Sequence, residues 1–201
     1  MKRYLIVFAI AASAFVLMGQ LWTHWVYWDD LRAPSSTVLI GVGAGNSADR
    51  ALDGSLLFDN AQDEEAFTIM QLPHGYKFGS TIEPHFHWAK STAAGGDVCW
   101  RMDWECKDIG ETFTNTPATV SMAYVVDDAD TAYLHAYADA AGNSFDPLCS
   151  GVSCICMFRL WRDVSGDGGT CSDDYAADAI LYEFDIHYQS DSVGSYLETS
   201  K

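Results

Sequence analysis

The chain reads as an all-β protein, a jelly-roll-like antiparallel β-sandwich preceded by a hydrophobic helical segment. Three observations predict this. Apolar side chains recur at every second position through Ile82–Trp88, Val98–Cys106 and Ile180–Tyr188, the period at which one strand face turns inward and the other outward. Clusters of Gly, Asn, Asp and Pro separate these runs, and beyond Trp28 almost nothing carries a helical period. With 201 residues, 49% hydrophobic and 13% aromatic, the chain has apolar material for one such domain. The expected division is an appendage at 1–28 and a β domain at 29–201.

Taken in order, the appendage opens with Lys2 and Arg3 and continues as YLIVFAIAASAFVLM. That is the length and charge pattern of a secretory signal. Trp22, Trp25, Tyr27 and Trp28 extend it with aromatics of the kind that sit at a membrane interface, so an uncleaved anchor is the second reading. Packing as a helix inside an assembly is the third. Any membrane contact is expected through residues 1–28.

Pro34 and two serines in WDDLRAPSST are expected to open a loop into a strand at Thr37–Ile40. Gly41–Asp49 is rich in turn residues and lacks the spacing of a phosphate-binding glycine loop. Strands are expected at Ser55–Asp59 and Glu65–Leu72. In the stretch from His74 to Trp88, Ile82, Pro84, Phe86 and Trp88 share an apolar face, and Glu83, His85 and His87 share the other. Asp97–Lys107 places Val98, Trp100, Met102, Trp104 and Cys106 opposite Arg101, Asp103, Glu105 and Lys107, a half-buried strand. Further strands are expected at Ala118–Val126, Ala132–Ala138, Val152–Val164 and Ala179–Gln189. In the last, Ile180, Tyr182, Phe184, Ile186 and Tyr188 oppose Glu183, Asp185 and His187. Eight or nine strands result, and the polar end SDSVGSYLETSK reads as a tail or a subunit contact.

Acidic residues outnumber basic ones 28 to 11, a formal charge of −17, so the field of the protein repels phosphate backbones and nucleic acid is not an expected partner. Cys99, Cys106, Cys149, Cys154, Cys156 and Cys171 beside an export-like segment fit disulfides in an oxidising, extracellular or cell-surface setting. Fifteen pairings are open if all six are bridged. The alternative is a set of buried thiols.

Gly79–His87 fits the opening of the cupin metal motif, G-x5-H-x-H. The glutamate expected three or four residues after the second histidine is missing, because Ser91 and Thr92 stand there. A transition metal would then need His85, His87 and Glu83, or three copies of the two histidines around a threefold axis. More often such histidines hydrogen-bond across strands, and His74, His85, His87, Asp185 and His187 are the candidate lining of an interface or pocket. Asp163, Ser165, Asp167 and Asp174 fall at calcium-loop offsets, although a polar Asp/Gly turn has the same composition. No residue is assigned a catalytic role. Glu83, Asp103, Glu105 and Asp185 are carboxylates that could pair in space as a glycosidase acid and base, which no spacing indicates.

Trp28-Asp29-Asp30-Leu31-Arg32, Leu72-Pro73-His74, Ile82-Glu83-Pro84-His85-Phe86-His87-Trp88, Arg159-Leu160-Trp161-Arg162-Asp163 and Asp185-Ile186-His187-Tyr188, with Asp191, Gly194-Ser195 and Lys201, resemble a group of tailed-phage and environmental-virus proteins. The resemblance implies a virion component of the fibre, spike or capsid-decoration kind, assembled from β-rich trimers. Its partners would be copies of itself and a host-surface glycan or protein. The signal-like front end and six cysteines depart from that group and fit an exported subunit of a surface filament. The rival readings are a cupin-like metal-dependent enzyme and a secreted carbohydrate-binding domain. No cofactor is expected beyond the calcium and transition-metal readings above.

Overall fold

The computed structural model describes residues 26–40, 46–47, 49–114, 116–120, 131–139, 144–166 and 171–195. Among these the chain is all β. Its strands are β1 (Tyr27–Pro34), β2 (Leu39–Ile40), β3 (Asn46–Ser47), β4 (Asp49–Arg50), β5 (Leu56–Phe58), β6 (Glu64–Gln71), β7 (Ile82–Lys90), β8 (Trp100–Lys107), β9 (Ala118–Val120), β10 (Ala136–Asp139), β11 (Ile155–Arg162) and β12 (Ala179–Ser190). A single 3-10 turn at Ser35–Thr37 is the only helical element among the described residues. Of the helical segment expected at 1–28, residues 1–25 lie outside them. Tyr27 and Trp28, inside the span expected to be helical, instead begin strand β1.

The strands form two six-stranded sheets. Sheet I runs β10-β7-β12-β5-β4 with β1 also beside β12, and sheet II runs β2-β6-β11-β8-β9 with β3 also beside β6. All pairings are antiparallel except β3 with β6. Consecutive strands stay in one sheet from β2 to β3, β4 to β5 and β8 to β9, and change sheet at the other junctions. Neighbours in the centre of each sheet are therefore distant in sequence.

Aromatic rings from both sheets meet between them. Phe86 of β7 stacks on Trp100 of β8 at 5.1 Å, Phe58 meets the same indole edge-on at 5.0 Å, and Phe158 packs on Phe184 at 5.2 Å. Each ring is wholly or almost wholly buried, and a buried aromatic contributes about 1.5–3 kcal/mol from area alone. The apolar face predicted for Ile82, Phe86 and Trp88 is thus the core face of β7.

Three local departures have physical causes. The outward row of β8 is buried as well, because Arg101 pairs with Asp163, Asp103 with Arg159, and Glu105 accepts from the N–H and hydroxyl of Thr114 at 2.8 and 2.9 Å. A strand expected to be half-buried is covered on both sides by its own polar partners. In β12 a register shift between Leu181 and Glu183 inserts Tyr182 as an extra residue. Ala179 and Leu181 then face the core in place of Ile180 and Tyr182, as a β-bulge requires. The third is β1, whose charged residues hid its strand character; its ladder is made wholly with β12.

All six cysteines are bridged. Cys106 and Cys156 stand directly opposite on β8 and β11, Cys149–Cys154 closes the turn before β11, and Cys99–Cys171 links positions 72 apart. Closing a loop of that length contributes roughly 4 kcal/mol in the chain-entropy account. Three disulfides suit an extracellular or otherwise oxidising environment. Among the described residues no helix is long and apolar enough to cross a membrane.

Candidate functional site

The outer face of sheet I collects four of the six histidines in the chain. Because Phe86 turns inward, His85 and His87 turn outward. The β7–β12 register sets Asp185 opposite His85, Glu183 opposite His87 and His187 opposite Glu83. On the far side of β12, the β1 register adds Asp30 opposite His187 and Arg32 opposite Asp185. From β10, Tyr137 stands opposite His87. Four strands thus deliver one polar face.

Asp185 is its centre. Its Oδ2 lies 3.1 Å from His87 Nε2. Its Oδ1, sealed from solvent, faces His85 Nδ1 at 3.2 Å. Burial raises the pKa of this carboxyl, but His85, then His87 and His187, pull it down further, and the net position is below the ordinary value. The His85 and His187 rings meet edge-on at 4.1 Å, and His187 Nε2 is 2.6 Å from Asp30 Oδ1. His87 Nδ1 reaches His135 Nε2 at 2.9 Å.

Beside this cluster lies a groove of about 300 Å³ lined by Arg32, His87, His135, Tyr182 and Glu183. Arg32 and Glu183 form a two-point ion pair, Nε to Oε1 and Nη2 to Oε2, the latter at 2.9 Å. The hydrogen bond to Glu183, and then its charge, raises the Arg32 pKa. The bulge at Tyr182 is what turns its ring toward the groove next to Glu183. At the other end of β12 the Tyr188 hydroxyl donates to Asp29 Oδ2 at 3.1 Å. Burial, then that carboxylate, pushes its pKa up to about 12.

The expected site residues therefore divide. His85, His87, Asp185 and His187 come together. Glu83 stays opposite His187 in the ladder and outside the group of ligand atoms formed by His85, Asp185 and His187. His74 stands apart in the β6–β7 connection, pinned by Ser195 Oγ at 2.6 Å and Ser153 Oγ at 2.8 Å. His135, Asp30, Arg32 and Tyr182 were not foreseen. Asp30 and Arg32 had entered only through the resemblance of Trp28–Arg32, and His135 and Tyr182 carried no signal beyond charge and aromaticity, which mark most of this surface equally.

The calcium-loop residues are engaged within the chain. Asp163 pairs with the Arg101 guanidinium and accepts from Gly166 N at 2.8 Å. Ser165 donates to Asp63 Oδ2 at 2.7 Å, and Asp174 Oδ1 accepts from Asp97 N at 2.6 Å. Asp167 lies outside the described residues. Next to this loop Arg162 is fully buried and uses every guanidinium donor: Asp173 takes two at 2.7 and 2.8 Å, and the carbonyls of Phe58, Ala177 and Tyr175 take the rest. Asp103 Oδ2 accepts from Arg159 and Glu105 Oε1 from Thr114, while Asp103 Oδ1 is buried without a hydrogen bond.

No family model matches the chain, and no curated protein matches it. Among solved structures, dimeric latent PorU from Porphyromonas gingivalis is similar at 11% identity with a TM-score of 0.31, over 83% of this chain and 13% of that one. TmCBM61, solved with β-1,4-galactotriose, is similar at 12% identity with a TM-score of 0.30, over 82% of this chain and 88% of that one. Likenesses this low establish neither a family nor a ligand.

Proposed function

We propose that this chain is an exported structural β domain that associates with copies of itself, as a fibre, spike, coat or surface-filament subunit does. Its fold fits a jelly roll: β5-β12-β7-β10 against β6-β11-β8-β9 is the interleaved order that two Greek keys produce. The observation that supports association is an apolar strip on the outer face of sheet II. Leu39 sits opposite Phe67, Ile69 follows on the same face of β6 and lies opposite Met157, and Ile155 continues the strip along β11. Leu39 is 66% and Ile69 61% exposed, on a chain of net charge −17 whose surface would otherwise be expected to stay polar. The resemblance to virion proteins points the same way.

The test is mass in solution at micromolar concentration by analytical ultracentrifugation. The wild-type chain is expected to sediment as a closed oligomer or filament, a trimer on the virion resemblance, and the Leu39→Asp, Ile69→Asp double variant as a folded monomer. A wild-type chain that stays monomeric overturns the reading.

The groove on sheet I favours a second reading, recognition of a glycan. The Arg32–Glu183 pair and the His87–His135 pair offer hydrogen bonds to hydroxyls, and Tyr182 and exposed Tyr137 offer ring faces. Glycan-array binding lost in Tyr182→Ala supports it. An array with no signal removes it.

A further inference from the structure

We propose that His85, Asp185 and His187 hold one divalent transition-metal ion on the outer face of sheet I, with Asp30 positioning His187. One donor atom from each of the three ligands lies within 4.8 Å of the other two. An ion about 2.0–2.2 Å from imidazole nitrogen and carboxylate oxygen asks for donor separations of roughly 3–4 Å, so modest ring rotations close the set. Two imidazoles and one carboxylate suit zinc, iron or cobalt. Calcium and magnesium prefer sets built from oxygen.

The strands supply this arrangement. Asp185 and His187 are two residues apart on β12 and so share a face, and His85 faces Asp185 across the β7 ladder. His87 fixes the carboxylate from behind through Oδ2 at 3.1 Å, which leaves the buried Oδ1 turned toward His85 Nδ1 at 3.2 Å. Asp30 Oδ1 lies 2.6 Å from His187 Nε2. A carboxylate behind an imidazole orients the ring and strengthens its other nitrogen as a donor. The His187 side chain is 38% exposed, so the positions that three protein ligands leave open face water or a bound molecule. This set differs from the one expected from sequence, His85, His87 and Glu83: Asp185 replaces Glu83, and His87 supports the carboxylate instead of ligating. It is also independent of self-association, which involves the other sheet.

The decisive experiment uses the full-length chain, purified without a histidine tag and with disulfides intact, stripped with chelator and titrated with Zn²⁺ and Co²⁺ by equilibrium dialysis and metal analysis. The expected result is one ion per chain. The His85→Ala, His187→Ala double variant weakens binding by more than about 100-fold, Asp30→Asn weakens it by about 10-fold, and Glu83→Gln leaves it unchanged. A folded wild-type chain that takes up no ion at millimolar zinc overturns the site. So does Glu83→Gln losing as much affinity as the double variant. If the double variant does not fold, Co²⁺ broadening of the wild-type imidazole NMR signals decides: broadening centred on His85 and His187 supports the site, and broadening centred on His74 overturns it.

Discussion

Arg162 and Asp185 are both charged, both buried and both carried by a strand in the middle of its sheet, yet their surroundings differ in kind. Arg162 on β11 has all five donors matched, with Asp173 braced in turn by the Cys99 N–H at 3.0 Å and the Cys99–Cys171 bridge alongside. Asp185 on β12 sits among three imidazoles with one carboxylate oxygen lacking an aligned hydrogen bond. The first cluster is closed and can only hold the sandwich together. The second has ligating capacity left over beside an open groove. Burial of a charge therefore does not by itself separate structural from functional groups; these two clusters differ in whether hydrogen-bonding capacity is exhausted.

Four measurements put this contrast at risk. The largest effect is expected for Arg162→Ala, which leaves Asp173 and three carbonyls without their partner and should cost about 3–5 kcal/mol in urea unfolding. A loss below about 1 kcal/mol would mean the closed cluster is not structural. Asp185→Asn, measured in chelator, should cost only about 1–3 kcal/mol, because the histidines around it can turn to water. If it costs as much as Arg162→Ala, the two clusters are alike and the distinction fails.

A third case is Glu64, buried beside Asp59 and Asp49, where it accepts from the Asp59 N–H at 2.7 Å. Burial, chiefly, raises its pKa. A carboxyl whose folded pKa is raised contributes stability only while protonated, and that contribution is lost as pH rises through the folded value. Glu64→Gln should therefore be more stable than the wild type at pH 7, with the gap closing as pH falls into the ordinary carboxylate range. Thermal melts across that span check it, and a gap that widens toward acid refutes it. Last, Ile69→Asp on the outer face of sheet II should change folding stability by less than about 0.5 kcal/mol while altering sedimentation. A large destabilisation would show Ile69 to be part of the core packing.

Most of the central strands were legible because alternation is a local property. Phe86, Trp88, Trp100 and Met102 declare an inward face within a few residues of sequence, and all four are wholly buried. β1 was illegible for the same reason: Asp29, Asp30 and Arg32 break the alternation, and the strand exists only because β12 offers it a ladder. Tyr182 was misplaced because a bulge has no signature in a period-two pattern. For the site, His85, His87, Asp185 and His187 were each visible as polar residues on strand faces. Which of them meet was not, since His87 and Asp185 are 98 residues apart.

That the chain is built from strands, which side of the major ones is apolar, and that its surface is strongly acidic can all be read from sequence, because they rest on side-chain chemistry and a two-residue period. Which cysteines pair, that Asp163 and Ser165 of the calcium-like loop are engaged by Arg101 and Asp63, and that three histidines surround Asp185 emerge only in three dimensions. Those outcomes depend on strand order and register between distant segments, and register is chosen by the summed burial of a whole face, with no single residue able to announce it.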